Sequence, residues 1–355
     1  MTDVALDAVD KRILYELDLN SRQPVSDLAR KLGLNRDRIV YRIKQMQKQG
    51  VIRGFSTIIN PTKLGLFVFK TYLRLERDEK RIQVLVRHLR DHPKVHWLAE
   101  CDGAWDIMFS IYAANPYEFH NLQQQVLHQF GDIIAVVKSY AVIDAWCFRR
   151  GYLMGVSSDP VLFGGEPAAH QLDSLDRAIL RILSTDSRST KKEIADQLKV
   201  SSMLVKYRID RLEDLGIISG YSLDIDLDLL GISFFKAQLH LDAYDRSSAE
   251  LLLEYCRSHP DITYLIRQIG DCALEIEVEA SGYQHFSQIV ADVRQRFSSI
   301  IREVDTVLIR SHQFKWAPYS DDRIDIPSTN AEGRSRGKKG ATQHGIAAAG
   351  KEGRG

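Results

Sequence analysis

The densest run of chemically capable side chains lies between Asn35 and Gln49. Arg36, Arg38, Arg42, Lys44 and Lys48 stand there against one acid, Asp37, a local charge of +5 − 1 = +4. Guanidinium and ammonium groups bind phosphate, and Arg and Gln also carry the donor geometry that reads base edges in a major groove. On a helix of about 3.6 residues per turn, Ile39, Ile43 and Met46 share one side and face a core. Arg38, Tyr41, Lys44, Gln45 and Lys48 occupy the opposite arc, with Arg42 on its flank. Asn35 stands where it can cap the helix, and Arg36 opens its first turn. A charge run is commonly no more than a solvated face. Here the turn, the cap and the sign bias together favour contact with DNA.

A second run, residues 201–215, keeps the buried side as Val205, Ile209 and Leu212 but not the charge. Lys206, Arg208 and Arg211 are opposed by Asp210, Glu213 and Asp214, +3 − 3 = 0. Asp210 and Asp214 stand where the first run has Lys44 and Lys48, and carboxylates there repel phosphate. We read this run as a weaker or retired DNA reader; the alternative is that its three cations still suffice for a half-site.

Other chemistry is scarce. The nucleotide-binding glycine patterns, H-E-x-x-H and G-x-S-x-G are all missing. His88 and His92 form an i,i+4 pair, but spacing suggests no third ligand, so no metal and no cofactor are expected. Cys101, Cys147, Cys256 and Cys272 form no C-x-x-C pair. Four cysteines in a chain of this length are not a disulfide framework, and a reducing cytoplasm is the simplest setting. The first residues show no basic-then-apolar leader. The apolar runs fall far short of the ~20 residues that span a bilayer, so no membrane partner is expected.

The elements that must position these residues recur. At an offset of 166, Leu6-Asp7-x-x-Asp10 meets Leu172-Asp173-x-x-Asp176, Arg22 meets Arg188, and Tyr41-Arg42-Ile43 meets Tyr207-Arg208-Ile209. Gly65 and Lys70 meet Gly231 and Lys236; one residue later, at 167, His92-Pro93 and Gly103 meet His259-Pro260 and Gly270. So many coincidences at one offset mean a tandem duplication of whole modules. Each copy begins as three helices, the second and third forming a helix-turn-helix, followed by a β-rich hairpin around a glycine that suits a small wing. In the first copy strands are then expected at 67–75, 95–100, 106–113 and 133–143, and helices at 82–92 and 117–130. That is a β-α-β-β-α-β order, the ferredoxin-like pattern, and the second copy repeats it.

The 355 residues carry 48 Lys+Arg against 47 Asp+Glu, with 44% hydrophobic residues. This composition builds real cores and excludes both wholesale disorder and a uniformly basic surface. The expected class is α+β: a winged helix-turn-helix at 1–62, a ferredoxin-like domain at 63–148 and a Gly/Ser/Pro-rich linker at 149–171. A second winged helix-turn-helix at 172–228 and a second ferredoxin-like domain at 229–318 precede a disordered basic tail at 319–355.

The run L-D-x-x-D-x-x-I-L-x-x-L with Arg22, Leu28-Ala29, Arg42-Ile43, Gly50-Val51-Ile52 and Gly65 resembles the Lrp/AsnC feast-or-famine transcription regulators. The βαββαβ half resembles their RAM domain, and Gly103-Ala104-Trp105-Asp106 is similar to its G-x-x-D turn. The resemblance spans about residues 6–145 and 172–315 and departs from the usual plan in holding two units in one chain. It implies a regulator that binds double-stranded DNA, senses an amino acid or other small-molecule effector, and self-associates through its RAM domains, with further assembly into rings. It places an effector near Gly103 and Asp106, and near Gly270 in the second copy, where Ala273 replaces the aspartate. Two rivals remain. Sirohaem decarboxylases resemble the same arrangement but look for a His-Asn-Tyr-x-Arg stretch, where this chain has His96-Trp97-Leu98-Ala99-Glu100 and Thr263-Tyr264-Leu265-Ile266-Arg267. A ligand-sensing adaptor without DNA binding is the other.

Overall fold

The computed structural model describes residues 4–76, 78–242 and 246–314, all within one unit, Met1–Ile324. The expected tail at 319–355 lies outside the described residues. The first copy runs α1 (Ala8–Leu19), α2 (Val25–Leu32), α3 (Arg36–Lys48), β1 (Ile52–Ile59), β2 (Phe67–Leu75), α4 (Glu79–Asp91), β3 (Val95–Gly103), β4 (Ile107–Ala113), α5 (Pro116–Phe130) and β5 (Ile134–Cys147). After β6 (Val161–Gly164), the second copy runs α6 (Ser174–Thr185), α7 (Lys191–Leu198), α8 (Ser202–Asp214), β7 (Ile218–Ile225), β8 (Ser233–Leu241), α9 (Arg246–Ser258), β9 (Ile262–Ile269), β10 (Leu274–Ala280), α10 (Tyr283–Arg296) and β11 (Ile301–Phe314).

Local chemistry sets the helix starts. The Asp7 carboxylate accepts the Val9 and Asp10 backbone N–H groups at 2.8 Å each, and the Asp10 carboxylate accepts the N–H of Asp7 in return. Asp173 and Asp176 repeat this reciprocal cap on α6. Asn35 accepts the Arg38 N–H at 2.8 Å and starts α3. Ile39, Ile43 and Met46 pack into a core shared with α1 and α2.

The wing is not the expected hairpin within each copy. β1 continues through Gly54, which sits opposite Asp224 just after a register shift from Ile52, and pairs antiparallel with β7 of the other copy, Phe55 facing Leu223 and Thr57 facing Tyr221. A tight hairpin needs positive φ at its turn, and Gly54 is not among the positive-φ glycines. The apolar side of β1 is long enough to span both copies, and Thr57 donates to the Leu183 carbonyl of α6 at 2.6 Å. The same seam holds Ser21 against Ser187 at 2.7 Å. Arg22 donates to the Ser189 carbonyl at 2.7 Å, and Arg188 to that of Ser21 at 2.6 Å. The two arginines matched by the repeat are thus reciprocal clasps between the copies.

The two ferredoxin-like sheets join edge to edge. β5-β2-β4-β3 of the first copy meets β11-β8-β10-β9 of the second through β3–β11 and β5–β9, closing an eight-stranded antiparallel ring with β6 added beside β5. Closure removes free sheet edges. It also decides that the two RAM-like units pair within one chain. Side chains alternate across the ring: Phe69 and Leu73 pack outward on Leu85, Leu89 and Phe130 of α4 and α5. Tyr72 turns inward to Trp97, Trp105 and Met108. The connection after β5 is more ordered than its composition suggests. Arg150 within it is half-buried, bound to Asp18 of α1 at 2.8 Å and to Glu279 of β10 at 2.9 Å.

Candidate nucleic-acid interface and inner cavity

α3 presents an open cationic face. Arg36, Arg38, Tyr41, Lys44 and Lys48 are exposed, Gln45 is half-buried, and among the described residues no ion pair involves the four cations. Arg42 differs. Its guanidinium binds the Asp7 and Asp10 carboxylates at 2.7 Å each, tying α3 to the cap of α1. The Asp10 backbone N–H and Arg42 hold the Asp7 carboxyl below its ordinary pKa. Arg42 is thus placed as a strut behind the exposed arc, while Asn35 serves as the helix cap.

In α8 every predicted cation is already engaged. Arg208 repeats the Arg42 strut, to Asp173 at 2.6 Å and Asp176 at 3.0 Å; Arg211 adds a bond to Asp176 at 2.9 Å, and Lys206 binds Asp210. The outward positions carry exposed Met203 and Tyr207. The difference in charge between the two helices is therefore larger in space than in sequence.

The glycines of the two G-x-x-D-like turns lie on the seams of the ring. Gly103 has φ +118°, and a Cβ there would come within 2.5 Å of the Thr306 carbonyl of β11. Gly270 would press a Cβ to 2.4 Å from the Tyr140 ring of β5. The Asp106 carboxylate accepts the Leu75 backbone N–H at 2.8 Å. Close strand approach accounts for both glycines, and a strand-end hydrogen bond accounts for Asp106.

The His88 and His92 rings stand 6.3 Å apart, and His92 accepts the Lys94 N–H. Among the described residues no group of three or more His, Cys, Asp or Glu could hold a metal. The four cysteines are buried and free. No described helix is long and apolar enough to cross a membrane.

A feature that sequence reasoning missed lies inside the ring. A cavity of about 620 Å³ opens between the β1–β7 pair and the inner faces of both sheets. On its floor Lys70 and Lys236 both donate to one Glu275 oxygen, at 2.6 and 3.1 Å, and Lys236 also donates to Glu277 at 2.7 Å. Tyr72 gives its hydroxyl to the other Glu275 oxygen at 2.5 Å, joined by Gln238 and Gln268. Burial acts against the Glu275 charge, yet Lys236 and Lys70 outweigh it and hold the carboxyl well below its ordinary pKa. Burial lowers the Lys70 ammonium despite Glu275. Lys236 rises above its usual value because Glu275 and Glu277 overcome the same burial. The available signal was the match of Lys70 with Lys236, each a lysine at the inward parity of a strand that is otherwise mostly apolar.

Comparison with known proteins gives two kinds of match. A family model described as winged helix-turn-helix DNA-binding fits residues 6–53 and again 172–219. The proline dehydrogenase transcriptional activator of Rhodobacter capsulatus is 31% identical over 148 residues, which is 94% of that protein but 41% of this chain. An uncharacterized HTH-type transcriptional regulator of Pyrococcus furiosus is 31% identical over 147 residues, 97% of its length and again 41% of this chain. Among solved structures, the siroheme decarboxylase NirDL covers 88% of this chain and 96% of its own with a TM-score of 0.59. At 11% identity that likeness concerns the fold alone.

Proposed function

The chain belongs to the Lrp/AsnC family of helix-turn-helix transcriptional regulators, and from that premise we propose that it grips duplex DNA chiefly through α3. Arg36, Arg38, Lys44 and Lys48 are the phosphate ligands, and Tyr41 and Gln45 stand nearest the base edges. The observation that carries this reading is the open cationic arc of α3, set beside an α8 whose cations are all engaged, Lys206 by Asp210 of the same helix and Arg208 and Arg211 by Asp173 and Asp176 at the start of α6. Arg42 and Arg208 contribute by bracing their helices, and Lys206 and Arg211 add little. The protein acts as a cytoplasmic regulator without catalysis of its own, modulated by a small molecule and assembling further through its ring-shaped RAM pair. Gly103, Asp106 and Gly270 serve in this reading as architecture of the seams.

Fluorescence anisotropy with a labelled duplex across a salt series tests it. Replacing Arg38 and Lys44 together by Ala removes two phosphate contacts, so the slope of log K against log salt should flatten by about 2. An unchanged slope would remove α3 from the interface. Absorption spectra with added sirohaem, followed by assay for released carbon dioxide, test the catalytic rival suggested by the shared fold; turnover would establish it.

A further inference from the structure

We propose that the inner cavity is a binding site for a planar aromatic carboxylate bearing a hydroxyl or amino group, and that its filling is felt by the DNA-binding layer. The binding stands on the cavity alone; the coupling rests on the DNA-binding reading above.

The volume, about 620 Å³, falls among small-molecule sites, which range over roughly 300–1,000 Å³ and combine apolar walls with a few placed polar groups. The walls here include Trp97, Phe163, Phe234, Tyr264 and Phe314, flat surfaces suited to a ring. The His96 imidazole lies against Tyr112 with centroids 4.0 Å apart. It is more than nine-tenths buried, and its Nδ1 has no hydrogen-bond partner. A buried polar atom of this kind in a native protein calls for an explanation, and a ligand carboxylate that accepts from the Nδ1–H tautomer supplies one.

The floor has a direction. Offset by 167 residues, His96 corresponds to Thr263, Ser110 to Glu277, and Tyr112 to Glu279. The first copy therefore offers Lys70 and a neutral imidazole, whereas the second offers Glu277 and Glu279 beside a Lys236 already bonded to Glu275 and Glu277. Lys70 shares a single Glu275 oxygen with Lys236, so it is the ammonium that an incoming anion would stabilise most. A carboxylate directed at Lys70 places the opposite end of a ring toward Glu277 and Glu279, which accept from a hydroxyl or amine. One ligand orientation satisfies both ends; a symmetric dicarboxylate would meet repulsion at one.

The roof belongs to the DNA-binding half. Ser56 of β1 and Ser222, Leu223 and Ile225 of β7 line the cavity. Arg150 and Glu279 line it too, and Arg150 reaches on to Asp18 of α1. The cap of α1 in turn holds Arg42 of α3. A ligand that draws on Glu279 thus acts on the Arg150–Asp18 ion pair at one end of α1, and the helix itself leads from there to the Asp7–Asp10 cap that holds Arg42 at its other end.

The test uses the full chain and named probes: 4-hydroxybenzoate and 4-aminobenzoate, with phenol, indole and acetate as controls. Tryptophan fluorescence and calorimetry, both without DNA, should show the ring acids binding at least tenfold more tightly than the controls. Lys70→Met should lose at least tenfold. Val142→Trp, which fills the cavity without touching the floor, should abolish binding while its circular dichroism and melting stay cooperative. Duplex affinity should change at least threefold on adding a bound acid. Equal binding to wild type and the filled variant, or no binding of any ring acid, overturns the site. Uptake of uroporphyrin to the exclusion of the simple acids overturns the ligand class. Binding with unaltered duplex affinity overturns the coupling, and absence of duplex binding in the apo protein indicts the DNA reading instead.

Discussion

The two copies keep the same skeleton and spend it differently. α3 and α8 begin at equivalent caps, bury equivalent triads and use Arg42 and Arg208 as equivalent struts. Their outer arcs diverge: α3 leaves its cations to solvent, whereas α8 neutralises its own. Inside the ring the divergence runs the other way. Met108, Ser110 and Tyr112 of β4 are uncharged, while their counterparts Glu275, Glu277 and Glu279 of β10 are all carboxylates. The comparison shows that duplication preserves what folds the module, the caps, apolar stripes and seam glycines. Positions that touch solvent or a cavity are free to specialise. The result is a lopsided pseudo-dimer, with one basic recognition helix and an inner chamber that has distinct ends.

That contrast can be broken or sharpened by experiment. The largest effect is expected at the seams. Gly103→Ala drives a Cβ against a backbone carbonyl at a positive φ, and should cost about 3 kcal/mol in denaturant melts. Gly270→Ala meets a tyrosine ring that can turn, and should cost less; equal losses would show the seams to be equivalent after all. Next come the recognition helices. Arg38→Ala with Lys44→Ala should weaken duplex binding by about 30-fold or more in moderate salt, and Lys206→Ala with Arg211→Ala by less than about threefold. Comparable losses from the two pairs would make α8 a working reader.

A comparable effect is expected from acid. Burial, aided by Lys70, pulls the His96 pKa from 6.5 to about 3, so the folded protein keeps it neutral. The unfolded chain takes up a proton below about pH 6.5, so it binds more protons than the native state there. Stability is then fully present above pH 6.5 and falls toward pH 3, by up to about 1.4 kcal/mol per pH unit. His96→Thr, which copies Thr263 of the second copy, should reduce the slope of melting temperature against pH between 6.5 and 4.5, leaving the share of His259 and His312, which burial also holds below their ordinary pKa. The depressed Glu275 begins to matter only below that window. A slope that the substitution leaves undiminished would assign the acid sensitivity to other groups. Smallest of all, Asp210→Asn with Asp214→Asn should raise duplex affinity by less than about threefold; a loss would mean that these acids position α8 for a partner.

Much of this was legible beforehand. Phe67–Leu75 was expected as a strand and is β2; the helices expected at 82–92 and 117–130 are α4 and α5 with earlier starts. The triad Ile39, Ile43 and Met46 is buried as its spacing required. The wing departs from the expected hairpin because a β-rich segment around Gly54 suits a turn as well as a strand with a local irregularity, and nothing local names its partner. Arg42 was placed among DNA ligands because a helical wheel gives direction but not neighbours; only packing on α1 puts two carboxylates beside it. The Lys70–Glu275–Lys236 group escaped notice because its members lie more than 160 residues apart in pairs such as Lys70 and Lys236, and the ring alone brings them together.

By itself the chain's order of residues determined the duplication, the module types and the charge of each recognition helix, since caps, periodicity and composition act over a few residues. Tertiary structure alone decided which edges pair. Backbone N–H and C=O groups are the same in every strand, so only the packing of one copy on the other could choose β1 for β7, and only ring closure with the burial it brings could choose β3 for β11 and β5 for β9. That choice encloses the chamber and sets both lysines on one carboxylate.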